Sequence, residues 1–243
     1  MPGPGPAGAE IAEHLAAVRR RIAAAAERAH RSPGDIQLLA VSKTFGGERV
    51  RAAAAAGQRD FGENRVQEGL DKIEALRGLG LDWHLIGHLQ SNKARKAAAA
   101  FAWIHSLDRI ELLRKLDAAA VEAGVRPRVL VQVDLAHEAT KHGADEQAAA
   151  GLVKAALDAR VLDLRGLMIV PPFPANPEDS RPWFLRLREL RDGLVAGGVP
   201  AERLKELSMG MSQDFEIAIE EGATMVRVGT AIFGRRTPPA AVA

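Results

Sequence analysis

The sequence predicts a single α/β domain, a closed (β/α)8 barrel of the TIM type with one extra helix at its N-terminal end. Three observations carry this reading. Eight short apolar runs alternate with helical patterns along 243 residues. The repeat is about 30 residues long, the usual size of a strand–helix unit. No run of β-hairpin signals interrupts it, which favours a closed parallel barrel over an open sheet.

Each element has a local reason. Residues 1–8 read as a flexible Pro/Gly leader. Ile11, Leu15, Val18 and Ile22 recur at helical spacing and predict a helix over 9–30, placed to cap the barrel floor. Ser32-Pro33-Gly34 breaks it. The first strand, 36–42, is an apolar run ended by Ser42 and Lys43. Further strands are expected at 60–62, 83–86, 103–106, 128–134, 164–170, 204–209 and 225–228. Helices are expected at 48–56, 65–76, 92–100, 110–123, 145–159, 182–195 and 212–220, with a last helical turn from Ala231. The run RVLVQVD at 128–134 has the β-branched content of a strand. Gly124 ends the helix before it, and Pro171-Pro172 stop the sixth strand. Alanine tracts at 52–56, 97–100 and 148–150 are helix formers. The barrel domain is expected over 9–236, with 237–243 as a tail and no second domain left over.

Composition excludes several classes. With 33 basic and 31 acidic residues the net charge is only +2, so no polyanion partner is implied. The absence of Cys excludes disulfides, a thiolate nucleophile and Cys-ligated metal. The absence of Tyr removes any phenolic acid or base. The first residues lack the basic-then-apolar pattern of a secretory signal, and no apolar run reaches the roughly 18 residues of a membrane span. The expected location is the cytoplasm.

In such barrels functional groups gather at the C-terminal strand ends. Lys43 ends the first strand. Near low-dielectric walls an amine there can lose its proton and act as a nucleophile; for that residue alone, a solvated lysine is the plainer reading. The seventh strand ends Ser208-Met209-Gly210-Met211-Ser212, and the eighth carries Arg227 and ends Gly229-Thr230. Barrels commonly hold phosphate at these two strands, and free N–H groups beside a glycine favour an anion. A capped glycine turn is the alternative. A phosphate at one rim and an amine across from it suggest pyridoxal 5′-phosphate (PLP), with Lys43 forming a Schiff base with the aldehyde. Arg227 lies two residues before Gly229, so both face one side of the strand, and Arg227 can reach the pyridine nitrogen. A guanidinium only donates, so it would keep that nitrogen unprotonated and weaken the ring as an electron sink. A structural ion pair is the other reading of Arg227.

Five motifs complete the picture: LLAVSKT at 38–44, FGENRVQE at 61–68, WHLIGHLQSNK at 83–93, LRGLMIVPP at 164–172 and LSMGMSQDFEIAIEEGATMVRVGTAIFG at 207–234. Through them the chain resembles the pyridoxal phosphate homeostasis proteins, also known as PLP-binding protein or proline synthetase co-transcribed homologue. The resemblance implies a barrel like the N-terminal domain of alanine racemase, with PLP held as a Schiff base on Lys43. It implies Ser208, Gly229 and Thr230 at the phosphate, Arg227 at the pyridine nitrogen, and Asn64 and Met168 lining the cofactor, with Ser42 and Ser212 as lesser neighbours. It further implies a monomeric carrier or buffer of PLP that supports vitamin B6 homeostasis and serves apo PLP-dependent enzymes. Arg65 departs from the pattern, since some members have an aromatic residue after the Asn of the second motif.

Three rivals are weighed against this. A PLP-dependent amino-acid racemase or decarboxylase of low activity is the first. Such enzymes place a second domain over the cofactor, and racemisation needs an acid/base on each face, a tyrosine supplying one of them in the racemase. This chain has no Tyr, and Lys43 alone gives only one-sided proton exchange. A metal site at His84 and His88, completed by His105 or a carboxylate, is the second; no metal is expected. The third is nucleic-acid binding through Lys93, Arg95 and Lys96; without an aromatic platform these read as a solvated face.

Overall fold

A computed structural model of the chain describes residues 6–136 and 142–234. Eight parallel strands, β1 Gln37–Val41, β2 Asp60–Glu63, β3 Asp82–Leu85, β4 Trp103–Leu107, β5 Arg128–Val133, β6 Asp163–Ile169, β7 Glu206–Met211 and β8 Met225–Val228, pair in chain order, and β8 pairs with β1 to close the barrel. Helix α1, Pro6–Arg28, precedes β1. The strands are followed in turn by α2 Gly47–Ala55, α3 Val66–Ala75, α4 Ala94–Ala100, α5 Ile110–Ala123, α6 Glu146–Leu157, α7 Arg181–Ala196, α8 Phe215–Glu220 and α9 Thr230–Phe233.

The outer ring explains the extra helix. At four residues, α9 is too short to cover the seam between β8 and β1. Helix α1 does so instead: Ile11, Leu15, Val18 and Ile22 are buried, and the helix packs against α2, α8 and α9. It therefore takes the eighth place on the barrel's flank, rather than capping the floor as expected from the sequence. His14 Nδ1 lies 3.0 Å from Ile232 O, and Arg21 pairs with Glu216 at 2.8 Å.

Other boundaries differ for local reasons. Helix α1 starts at Pro6, inside the segment read as a leader; proline is tolerated in a first turn because its missing N–H would have no partner there. A 3-10 turn, Ser91–Lys93, delays α4 to Ala94. Pro200 starts a 3-10 turn that ends at Leu204, so β7 begins at Glu206, two residues later than the apolar pattern suggests. Residues 1–5 and the expected tail, 237–243, lie outside the described residues.

The barrel has two apolar regions. The larger fills the space between strands and helices. The smaller lies inside the barrel, where Leu39, Trp103, Leu130, Met168 and Met225 pack together, with Ile86 and Val170 beside them. Inward residues alternate along each strand, so the same face of the sheet that carries Leu39 and Met225 also carries Arg227.

Candidate functional site

Lys43 follows β1 at the mouth. Val41 pairs with Gly62, and Ser42 N donates to Gly62 O at 3.1 Å, which ties the start of the Lys43 turn to β2. Lys43 is exposed, in a turn closed by Phe45 N donating to Ser42 O at 3.0 Å. Thr44 has φ +69°, a strained setting for a β-branched residue. One buried network holds this turn from both sides. Lys72 Nζ, from α3, donates to Ser42 O (2.7 Å), Glu63 Oε1 (2.6 Å) and Glu68 Oε1 (2.9 Å). Ser42 Oγ donates to Glu63 Oε1 at 2.6 Å, and Thr44 N donates to Glu68. Burial pushes the Glu63 carboxyl up, against the pull of Lys72 and Ser42. Glu63 Oε2 and Asn64 Oδ1 are buried without a partner.

A second network crosses the barrel interior. Arg227 Nη1 donates to Ser208 Oγ (2.7 Å) and Nη2 to Ile169 O (2.8 Å). Ser208 Oγ lies 2.9 Å from His105 Nδ1, His105 Nε2 lies 3.0 Å from His84 Nδ1, and His84 Nε2 lies 3.3 Å from Asp60 Oδ1. Gln37 Nε2 donates to the same Asp60 oxygen at 2.6 Å. Burial holds both imidazoles neutral by lowering their pKa values, His105 well below the ordinary range with His84 and Arg227 adding to the effect. The partners then fix the tautomers. The Asp60 carboxylate only accepts, so His84 carries its proton on Nε2 and accepts at Nδ1. His105 must therefore donate from Nε2 and accept at Nδ1, which takes the Ser208 hydroxyl proton. Every donor points from Arg227 towards Asp60, and Arg227 is fixed by acceptors it cannot exchange with water. Burial lowers its pKa to about 10, against the pull of Asp214, so it stays charged at neutral pH.

The histidines set a pH dependence. Their folded pKa values lie below the unfolded value, so the unfolded chain binds protons that the folded chain does not. Their contribution is complete above about pH 6.5 and is lost as pH falls, at up to about 1.4 kcal/mol per unit for each group. The raised pKa of Glu63 acts with the opposite sign in the carboxylate range, so a difference isolates the effect. Urea unfolding of wild type and His105→Gln between pH 7.5 and 5 is expected to give a steeper loss in the wild type; parallel curves would contradict the neutral assignment.

The rim at β7 and β8 depends on a bulge. Ser208 pairs with Met225 but Met211 pairs with Arg227, one extra residue in β7. Gly210, at φ +89°, accommodates it. The bulge breaks the two-residue alternation, so Ser208 points to the interior network while Ser212 meets the rim. Ser212 Oγ accepts from Gly229 N (3.2 Å) and Ala231 N (3.4 Å). A Cβ on Gly210 would lie 2.5 Å from Ala218 Cβ and 2.9 Å from Phe215 Cα. Gly210→Ala is therefore expected to lower stability by about 1–3 kcal/mol, read as a lower urea midpoint; an unchanged midpoint would contradict the bulge's role.

The sequence-derived residues thus fall into three places. Lys43 and Asn64 are at the mouth; Met168, Ser208 and Arg227 are inside the barrel; Gly229 and Thr230 are at the rim with Ser212. Ser208, expected at the phosphate, is wholly buried against Arg227 and His105. The roles of Asp60, Glu63, Lys72, His84 and His105 were not anticipated. Period-two placement of Trp103 and His105 in one strand points both inward and is the pattern that could have revealed the second network. His84 and His88 do not form a pair: His84 is buried inside, while His88 is exposed, stacking on His142 at 3.6 Å with Asp108 3.4 Å away. Lys93, Arg95 and Lys96 are exposed, and Arg95 pairs with Glu122.

Comparisons with known proteins agree with this fold. The family described as alanine racemase, N-terminal domain, matches residues 14–237. A pyridoxal phosphate homeostasis protein of Pseudomonas aeruginosa is 47% identical over 227 residues, 93% of this chain and 96% of the relative. That of Aquifex aeolicus is 45% identical over 224 residues, 92% and 97% of the two chains. The structure of PipY from Synechococcus elongatus PCC7942 with PLP bound superposes with a TM-score of 0.82 at 42% identity, covering 92% of this chain and all of that one. By fold, motifs and near full-length identity, the chain belongs to the family of pyridoxal phosphate homeostasis proteins, built on the alanine racemase N-terminal domain.

Proposed function

We propose that this chain binds PLP at the barrel mouth through a Schiff base on Lys43 and works as a monomeric, cytoplasmic buffer and carrier of the cofactor. The observation that carries the reading is that one barrel holds three unlike groups: an exposed amine on a turn clamped through Ser42 O at the mouth, a buried guanidinium inside, and two backbone N–H groups gathered on one hydroxyl at the rim. PLP fits this set. It supplies an electrophilic aldehyde for an amine, an aromatic ring for apolar walls and a phosphate for N–H donors.

Each residue then has a task. Lys43 supplies the amine. Leu39 and Met168 offer apolar surface to the ring. Arg227, held by Ser208 and Ile169 O, keeps a positive donor at the ring's inner edge. Gly229 N, Ala231 N and the hydroxyls of Ser212 and Thr230 take the phosphate, with Ser208 acting through Arg227. The unpartnered Asn64 Oδ1 is an acceptor awaiting a donor.

Carriage rather than turnover is favoured by the chain's own inventory. It contains no tyrosine, and the imidazoles of His84 and His105 are occupied in the interior network. Among the described residues no helix is long and apolar enough to cross a membrane, and the exposed large apolar side chains are only Ile110, Val121 and Phe173. The test is transfer. PLP-loaded protein mixed with an apo PLP-dependent enzyme, in the presence of a scavenger of free PLP, is expected to activate that enzyme faster than PLP leaves into solution. Equal rates would sink direct delivery and leave buffering alone. Incubation of the loaded protein with L-alanine is expected to yield no D-alanine; sustained racemisation would overturn the carrier reading.

A further inference from the structure

At the end of the barrel opposite Lys43, a cleft of about 690 Å³ opens among the starts of β5 and β6 and the 3-10 turn Ala201–Arg203. Arg126, Arg128, Arg165 and Arg203 line it, against the carboxylates of Asp163 and Glu202. Four guanidiniums and two carboxylates leave a formal charge of +2 on a concave surface. Three of the arginines are braced. Arg165 Nε donates to Asp163 Oδ2 at 2.8 Å and Arg203 Nη1 to Asp163 Oδ1 at 2.9 Å, so one carboxylate orients two forks and leaves each with unused donors. The Arg128 guanidinium lies over the Trp103 ring, 5.2 Å from its centroid. A cation–π contact fixes that fork without consuming its N–H groups.

We propose that this floor cleft is a second ligand site, for a small phosphate monoester free in solution. A phosphate monoester carries about −1.5 to −2 charges near neutral pH, which matches the cleft's excess, and its oxygens suit the planar donor pairs of arginine. A carboxylate ligand would neutralise only half of that excess. The site is independent of the Lys43 mouth, which lies at the other strand ends.

The test is calorimetric titration of PLP-loaded full-length protein, with the mouth already filled, using glycerol 3-phosphate, a phosphoserine peptide and glycerol. The visible absorption of the loaded protein, read beforehand, reports on the mouth separately. Saturable one-to-one binding of glycerol 3-phosphate, none of glycerol, and a loss of about tenfold or more in affinity in Arg126→Glu/Arg128→Gln are expected. Both substituted side chains are exposed, so the variant's visible band and unfolding midpoint serve as its folding control. Tighter binding of the phosphoserine peptide than of glycerol 3-phosphate would overturn the small-molecule assignment. Absence of saturable binding, equal heats from glycerol, or full affinity in the folded double variant would overturn the site.

Discussion

Lys43→Ala is expected to abolish the visible absorption of the PLP-incubated protein and to let PLP separate from the chain on gel filtration. Lys43→Arg is expected to do the same, because a guanidinium keeps the charge but cannot form the Schiff base. The effect on folding should be small, about 1 kcal/mol or less, since the side chain is exposed. This separation of a large binding loss from a small stability loss is the distinguishing result. Retention of the band in both variants would move the anchor to another lysine. Lys72 is the instructive contrast: its amine is enclosed by three acceptors, so it is a structural cation rather than a nucleophile.

Lys72→Met is expected to give the larger stability loss, about 3–5 kcal/mol, because it leaves the Glu63 carboxylate buried and uncompensated. Only the Ser42 hydroxyl then donates to the carboxylate, and Oε2 has no hydrogen-bond partner. The double variant Lys72→Met/Glu63→Gln should recover part of that loss, since a neutral amide is far cheaper to bury than an unpaired charge. Binding should not recover with it. Without the Lys72 amine, Ser42 O keeps only the Phe45 N–H within its own turn, and the turn that presents Lys43 is less firmly tied to α3. Urea unfolding and the rate of PLP incorporation, measured on both variants, check the two effects. A single-variant loss below about 1 kcal/mol would show that the pair is not buried in solution.

Much of this was legible from the chain, and the boundary between legible and hidden has a physical cause. Strand and helix order follow from local periodicity, so the barrel could be read in sequence. Lys43, Arg227 and Gly229 could be placed because they sit at strand ends, where sequence position and spatial position coincide. The place of α1 on the flank was not legible, because it follows from the shortness of α9, more than 200 residues away. The two networks were hidden for the same reason. Glu63, Glu68 and Lys72 look like ordinary helix and strand-end charges until α3 folds back under the first turn. His84 and His105 look like strand polar residues until closure brings β3, β4, β7 and β8 around one interior. Ser208 and Ser212 are four apart and read as one side of a strand; the bulge at Gly210 sends them to different tasks.

The most direct measurement is the site of covalent attachment. The protein would be incubated with PLP, reduced with borohydride, digested and mapped by mass spectrometry. The expected result is one phosphopyridoxyl group per chain, on the peptide that contains Lys43. No adduct, or an adduct spread over Lys93, Lys96 and other exposed lysines with Lys43 unmodified, would contradict the assignment of the barrel mouth as the PLP site.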